Sequence, residues 1–113
     1  MPIFVCDDNA LIAMMLEDLI ETLGHRCCGV ASAFSPALEG AVENGATLAL
    51  VDLDLADGAT GLTLVGALAE HDIPSIIISG QAHSVPPGHG AVALFEKPVD
   101  EVALSAAIQR VVG

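Results

Sequence analysis

The 113-residue chain has no tryptophan, no tyrosine and only three phenylalanines, so its core has to be built from Leu, Val, Ile and Ala. Basic residues are almost as scarce. Lys and Arg together number 3 against 15 Asp and Glu, a formal net charge of -12. Such a field repels phosphate backbones, which excludes direct nucleic-acid binding as a function class. No apolar run approaches the roughly 18–20 residues that cross a bilayer, which excludes membrane insertion. Met1-Pro2-Ile3 lacks the basic region of a secretion signal, so a cytoplasmic location is expected. The three cysteines, Cys6, Cys27 and Cys28, are odd in number and two are adjacent. That suits reduced, buried thiols rather than a disulfide framework. The length allows one compact domain, expected over residues 1–113, and is too short for two.

What is present is organised around Leu48-Ala49-Leu50-Val51-Asp52-Leu53-Asp54. Four apolar residues followed by a carboxylate read as a buried parallel strand with a charged tip. In an open α/β sheet, ligands collect at the carboxyl ends of the strands, which puts Asp52 at the mouth of a site.

The rest of the chain supplies similar units. Ile3-Phe4-Val5-Cys6 is a short apolar run that meets Asp7-Asp8-Asn9. From Leu11 the apolar residues fall at 11/12, 15/16, 19/20 and 23, a helical period that Gly24 ends. His25 to Ala31 is a weaker strand. Ser35-Pro36 reads as an N-cap with proline at the first helical position, the helix running to about Asn44-Gly45. Ala56 to Gly61 is a loop by composition. Leu62 to Ala69 is helical, with Leu64, Val65 and Leu68 on one face. Pro74 opens the apolar strand Ser75–Ser79. Ala91 to Phe95 is a fifth strand, followed by Lys97-Pro98. Asp100 caps a last helix, Glu101 to Val112, with Val102, Ala106 and Ala107 among its inward positions.

Repeated βα units predict an α/β fold: a five-stranded parallel sheet with helices on both faces. The fourth helix is expected to be shortened or replaced by a loop. Gly80 to Gly90 holds two consecutive prolines, which remove donors and break a helical turn.

Polar clusters lie at four strand ends: Asp7-Asp8, Asp52, Ser79 and Lys97, all on one edge of the predicted sheet. Carboxylates brought together repel unless a cation neutralises them. Hard oxygen ligands in small number suit Mg²⁺. An Asp beside such a cation can attack phosphorus to give an acyl phosphate, with a lysine and a hydroxyl sharing the charge of the equatorial oxygens.

With these residues the chain resembles a response-regulator receiver domain of two-component signalling, in its chemotaxis-type single-domain form, along essentially its whole length. The likeness is carried by Asp7-Asp8, Asp52, Ser79, Lys97-Pro98, and the Asp-Gly and Gly-Leu turns after the central Asp. The resemblance implies that Asp52 is the phosphoacceptor, receiving its group from a histidine kinase or histidine phosphotransfer protein. It implies Mg²⁺ bound by the carboxylates of Asp8 and Asp52 and the backbone carbonyl of Asp54, with Asp7 acting through water. Ser79 would hydrogen-bond the phosphoryl group and Lys97 would pair with it, mattering more for the response than for the fold. The Lys97-Pro98 bond would be cis. Such a domain catalyses only its own phosphorylation and dephosphorylation, and its output is expected through a downstream protein target.

The chain departs from the family pattern in three places. Ala56 stands where a proline is common, in a loop that looks one residue longer. Leu94 stands where a Tyr or Phe usually swings inward, with Phe95 expected on the other side of its strand. The fourth helix is lost. Two other readings share some of these residues. A haloacid-dehalogenase-like phosphatase would use Asp52-Leu53-Asp54 as its Asp-x-Asp pair, but there the pair follows the first strand and the acidic pair comes last. A non-phosphorylated receiver-like interaction module would have no need of the retained chemical residues.

Overall fold

The computed structural model describes residues 1–80, 85 and 88–112. Five strands, β1 (Pro2–Cys6), β2 (Arg26–Ala31), β3 (Leu48–Val51), β4 (Ser75–Ser79) and β5 (Ala93–Glu96), form one sheet in the order β2-β1-β3-β4-β5. Every pairing is parallel. Four helices accompany them: α1 (Ala10–Thr22), α2 (Phe34–Glu43), α3 (Gly61–Glu70) and α4 (Glu101–Val112). The chain starts in the middle of the sheet, runs out to β2, and returns across β1 to β3. That reversal opens a crevice beyond the carboxyl ends of β1 and β3, and Asp7 and Asp52 stand on either side of it.

The sheet carries an apolar layer on each face. Phe4, Ala41, Val51, Leu64, Leu68 and Ile77 pack with α2 and α3. Ile3, Leu16, Ile20, Leu50, Leu104 and Ile108 pack with α1 and α4. Burial of each large aliphatic side chain contributes about 1.5–3 kcal/mol, and β3 and β4 are buried along their whole length. The ring of Phe4 fills the space left by two glycines. A Cβ at Gly29 would lie 2.6 Å from its Cε2, and one at Gly40 would lie 2.8 Å away. The missing side chains let β2 and α2 close over the ring.

Several local expectations need correction. α2 begins at Phe34 rather than after Ser35, with Ala33 in the N-cap place and no side-chain cap of its own. Phe34 packs against the core, which draws the helix start inward. Pro36 then sits in the first turn, where its missing N–H has no partner to lose. In α4 the inward residues are Leu104, Ala107 and Ile108, whereas Val102 is 81% exposed and Ala106 is exposed. At 100° per residue, positions 102 and 106 each lie two residues from Leu104 and so point to the opposite side. In α1 the buried stripe is Ala13, Leu16 and Ile20, leaving Leu11 and Met15 exposed. Cys6 is buried, but Cys27 and Cys28 are only half-buried on the edge strand β2.

β5 starts at Ala93, two residues later than expected, and the Val92 N–H extends its ladder to the Ser75 carbonyl at 2.9 Å. No helix lies between β4 and β5 among the described residues. Of the expected loop, Gln81–Ser84 and Pro86-Pro87 lie outside them. Leu94 packs with the α2–α3 layer and Phe95 with the α1–α4 layer, as strand alternation requires.

Candidate functional site

The sheet ladder continues past the strand ends and fixes the backbone of the site. The Asp52 N–H donates to the Cys6 carbonyl at 2.8 Å, the Asp7 N–H to Ala31 at 3.1 Å, and the Lys97 N–H to Ser79 at 3.0 Å. Asp7 turns the chain into α1: its Oδ1 accepts the Asn9 N–H at 2.9 Å. Asn9 in turn caps the helix, its Oδ1 accepting from Leu11 at 3.0 Å and Ile12 at 3.2 Å. The helix start is thus divided between two residues, with Asn9 as the cap and Asp7 pointing its other oxygen at Lys97.

Asp7 and Asp52 are buried, at 3% and 6% exposure, while Asp8 is exposed. Lys97 reaches across from the end of β5. Its Nζ donates to Asp7 Oδ2 and to Asp52 Oδ2, each at 3.1 Å. Burial pushes the Asp52 carboxyl above its usual range, the hydrogen bond from Lys97 pulls it back, and the neighbouring charge of Asp7 raises it again. Burial alone would lower the Lys97 ammonium, but the hydrogen bonds to Asp52 and Asp7 outweigh it and hold it above its ordinary value. The Cys6 thiol beneath is pushed up to about 12, by burial first and by Asp7 second.

One carboxylate oxygen from each of Asp7, Asp8 and Asp52 lies within 4.8 Å of the others. Opposed ligands around Mg²⁺, at about 2.1 Å each, would be roughly 4.2 Å apart. The three oxygens thus fit one small hard cation with modest closure. Lys97 already supplies a positive charge to two of the three carboxylates, those of Asp7 and Asp52. Asp54 is exposed, and its N–H faces Asp52 Oδ1 at 3.4 Å. Its carboxylate is not one of the three grouped oxygens. Ser79 is fully buried at the end of β4, and the Lys97-Pro98 peptide is cis.

Two features behind Asp52 complete the geometry. The Gly61 N–H donates to the Leu53 carbonyl at 3.0 Å, and a Cβ at Gly61 would press on the backbone of Asp52 and Leu53. The longer loop is a tight turn. Leu55 and Gly58 exchange hydrogen bonds of 2.9 and 3.0 Å, with Gly58 at φ +114°.

Residues 3–109 match the family model described as "Response regulator receiver domain". The chain belongs to that family. It is 36% identical over 112 residues to the phyllosphere-induced regulator PhyR of Methylorubrum extorquens, a match covering 96% of this chain and 42% of that protein. It also resembles the solution structure of the Erythrobacter litoralis PhyR receiver domain, with 31% identity and a TM-score of 0.88 over 98% of this chain and 88% of that one. The anti-anti-sigma factor PhyR of Bartonella quintana is 27% identical with a TM-score of 0.81, over 98% of this chain and 46% of that one. The chain therefore spans less than half of the curated relative it matches.

Receiver domains of this kind are parts of regulators rather than catalysts of a metabolic reaction. The family match removes the phosphatase reading of Asp52-Leu53-Asp54. No helix among the described residues is long and apolar enough to cross a membrane. Of the expected site residues, the fold brings Asp7, Asp8, Asp52 and Lys97 into one cluster and sets Ser79 at the next strand end. Sequence reading missed the roles of Asn9 and Asp57. Asn9 was legible as an N-cap residue type just before the apolar period. Asp57 gave no such signal, because Ser35-Pro36 reads as a complete helix start and the contact of Asp57 with Phe34 is made only in the folded chain.

Proposed function

We propose that the chain is a single receiver unit that accepts a phosphoryl group on Asp52 from a histidine kinase or histidine phosphotransfer protein in the cytoplasm. The observation that carries this reading is the Lys97 ammonium held 3.1 Å from both Asp7 and Asp52. It supports a buried carboxylate paired with one ammonium on a flexible stem, which can follow the charge as it moves onto phosphorus. An Asp52 oxygen attacks the phosphorus of the donor phosphohistidine. The P–N bond breaks, its electron pair leaves with the imidazole nitrogen, and an acyl phosphate forms on Asp52.

Lys97 then pairs with a phosphoryl oxygen, and the Ser79 hydroxyl turns to donate to another. Mg²⁺ would be held by the carboxylates of Asp8 and Asp52 and the carbonyl of Asp54, with Asp7 reached through water. When bound, it supplies charge neutralisation for the phosphoryl oxygens. Output passes to a downstream protein. The likeness to an anti-anti-sigma factor suggests that this protein belongs to sigma-factor control.

The test is incubation with acetyl phosphate and Mg²⁺ followed by intact-mass measurement. The parent chain should gain one phosphoryl group and Asp52→Asn should gain none. Equal labelling of Asp52→Asn would refute the assignment.

A further inference from the structure

Among the described residues, the start of α2 takes its side-chain partner from a distant segment rather than from its own N-cap. Ala33 occupies its N-cap place and gives no side-chain hydrogen bond. The partner comes from the acceptor loop. Asp57 Oδ2 accepts the Phe34 N–H at 3.2 Å, and Asp57 Oδ1 accepts the Thr60 hydroxyl at 2.8 Å. A negative charge at this end also suits the helix dipole. Beside it, the Ala56 N–H donates to the Ser32 carbonyl at 2.7 Å.

The loop is thus tied at three places: by Leu55, buried in the α2–α3 layer; by Ala56 and Asp57 on the start of α2; and by Gly61 on Leu53. Leu53, held by Gly61, and Asp54 run straight from Asp52 into these ties, and the Asp54 N–H faces Asp52 Oδ1. Asp57 sits at the turn closed by Leu55 and Gly58, in the loop read from sequence as longer than the family's. The hydrogen bond from Thr60 also holds its carboxyl below the usual range, consistent with an ionised cap.

We propose that Asp57 is a positioning residue for the acceptor. By fastening the tip of the loop to the N-terminus of α2, it holds the Leu53–Asp54 backbone in the register that the Asp52 carboxylate needs. It also links the state of Asp52 to the first turn of α2. This rests on Asp52 being the phosphoacceptor. It adds a route from the acceptor to α2 that uses neither Ser79 nor the residue at position 94.

The test compares the parent chain with Asp57→Ala and Asp57→Asn in three measurements: labelling rate with acetyl phosphate and Mg²⁺, exchange of the Phe34 amide proton, and the shift of that amide on adding beryllium fluoride with Mg²⁺. Asp57→Ala should label about tenfold more slowly and expose the Phe34 amide. Its Phe34 resonance should no longer respond to beryllium fluoride. Asp57→Asn keeps an accepting oxygen and should recover most of the rate and of the response. A mere helix cap would expose the Phe34 amide while leaving the labelling rate and the parent's response to beryllium fluoride unlinked to position 57, and that result overturns the proposal. If the alanine variant does not fold, Thr60→Val, which removes the hydroxyl that orients Asp57, should expose the Phe34 amide and slow labelling; an exposed amide with the parental labelling rate overturns the proposal as well. A parent chain that gains no label at all would instead remove the phosphoacceptor reading on which the proposal stands.

Discussion

As the only lysine in the chain, Lys97 sets one ammonium against two buried carboxylates, and its side chain is itself only 20% exposed. Removing one partner from such a group leaves charge without compensation, which in a fully buried pair costs about 3–5 kcal/mol. The remaining access to water reduces that here. Lys97→Ala should therefore lose about 1–3 kcal/mol in chelator-treated buffer, read from urea unfolding, and regain most of it when Mg²⁺ is added. The expectation that Lys97 matters little for the fold thus applies to the Mg²⁺-loaded protein only. A variant as stable as the parent without Mg²⁺ would show that the two contacts contribute nothing to the fold. Sequence alone made Lys97 conspicuous by its rarity. It did not reveal that both hydrogen bonds fall on buried oxygens, because burial of Asp7 and Asp52 depends on layers contributed by the whole sheet.

At the scale of elements, the backbones that carry Asp7 and Asp52 are set by residues with little chemistry of their own. Asn9 holds the start of α1 with its side-chain oxygen. Its replacement by alanine should cost about 1 kcal/mol in urea unfolding, with the Asp7 side chain also less well placed. Gly61 begins α3 directly against the backbone of Asp52 and Leu53. Gly61→Ala forces that backbone to shift and should cost about 1–3 kcal/mol, as overpacking does. It should also slow labelling of Asp52, and normal labelling at reduced stability would show that the shift is taken up by α3 instead. Helices and strands were legible from period and punctuation, but the start of α2 and the inward face of α4 were not. Ser35-Pro36 is a good local start signal that lost to the pull of Phe34 toward the core. Val102 and Ala106 are apolar but lie on the wrong side of Leu104.

For the molecule as a whole, binding of a cation to the folded state alone should raise stability by mass action. At ten times its dissociation constant, Mg²⁺ should add about 1.4 kcal/mol. Asp8→Ala should abolish that gain, since an exposed carboxylate ligand can be lost without unfolding the chain; a parental response would show that Asp8 is no ligand. In metal-free buffer the alkaline limb should be set largely by Cys6. Its folded thiol titrates at about 12 against an ordinary 9.0. The folded state therefore holds its proton where the unfolded state has lost it, so stability is intact below pH 9 and falls as pH rises toward 12. Lys97, also held above its ordinary value, adds to the loss above about pH 10.5. Cys6→Ala should flatten the limb between pH 9 and 12, and an unchanged slope would assign the loss to other groups.

Local pattern by itself determined the alternation of apolar strands and amphipathic helices, and hence the parallel sheet. It also determined that Asp7, Asp8, Asp52, Ser79 and Lys97 end their strands on one edge, because a parallel sheet turns sequence position after each strand into position in space. Tertiary structure decided what no window of sequence contains. Lys97 meets Asp7 across 90 positions of chain, and Asp57 meets Phe34 across 23. Those contacts depend on how far each loop travels and how deeply each carboxylate is buried, and both are set by packing of the two apolar layers rather than by any neighbouring residue.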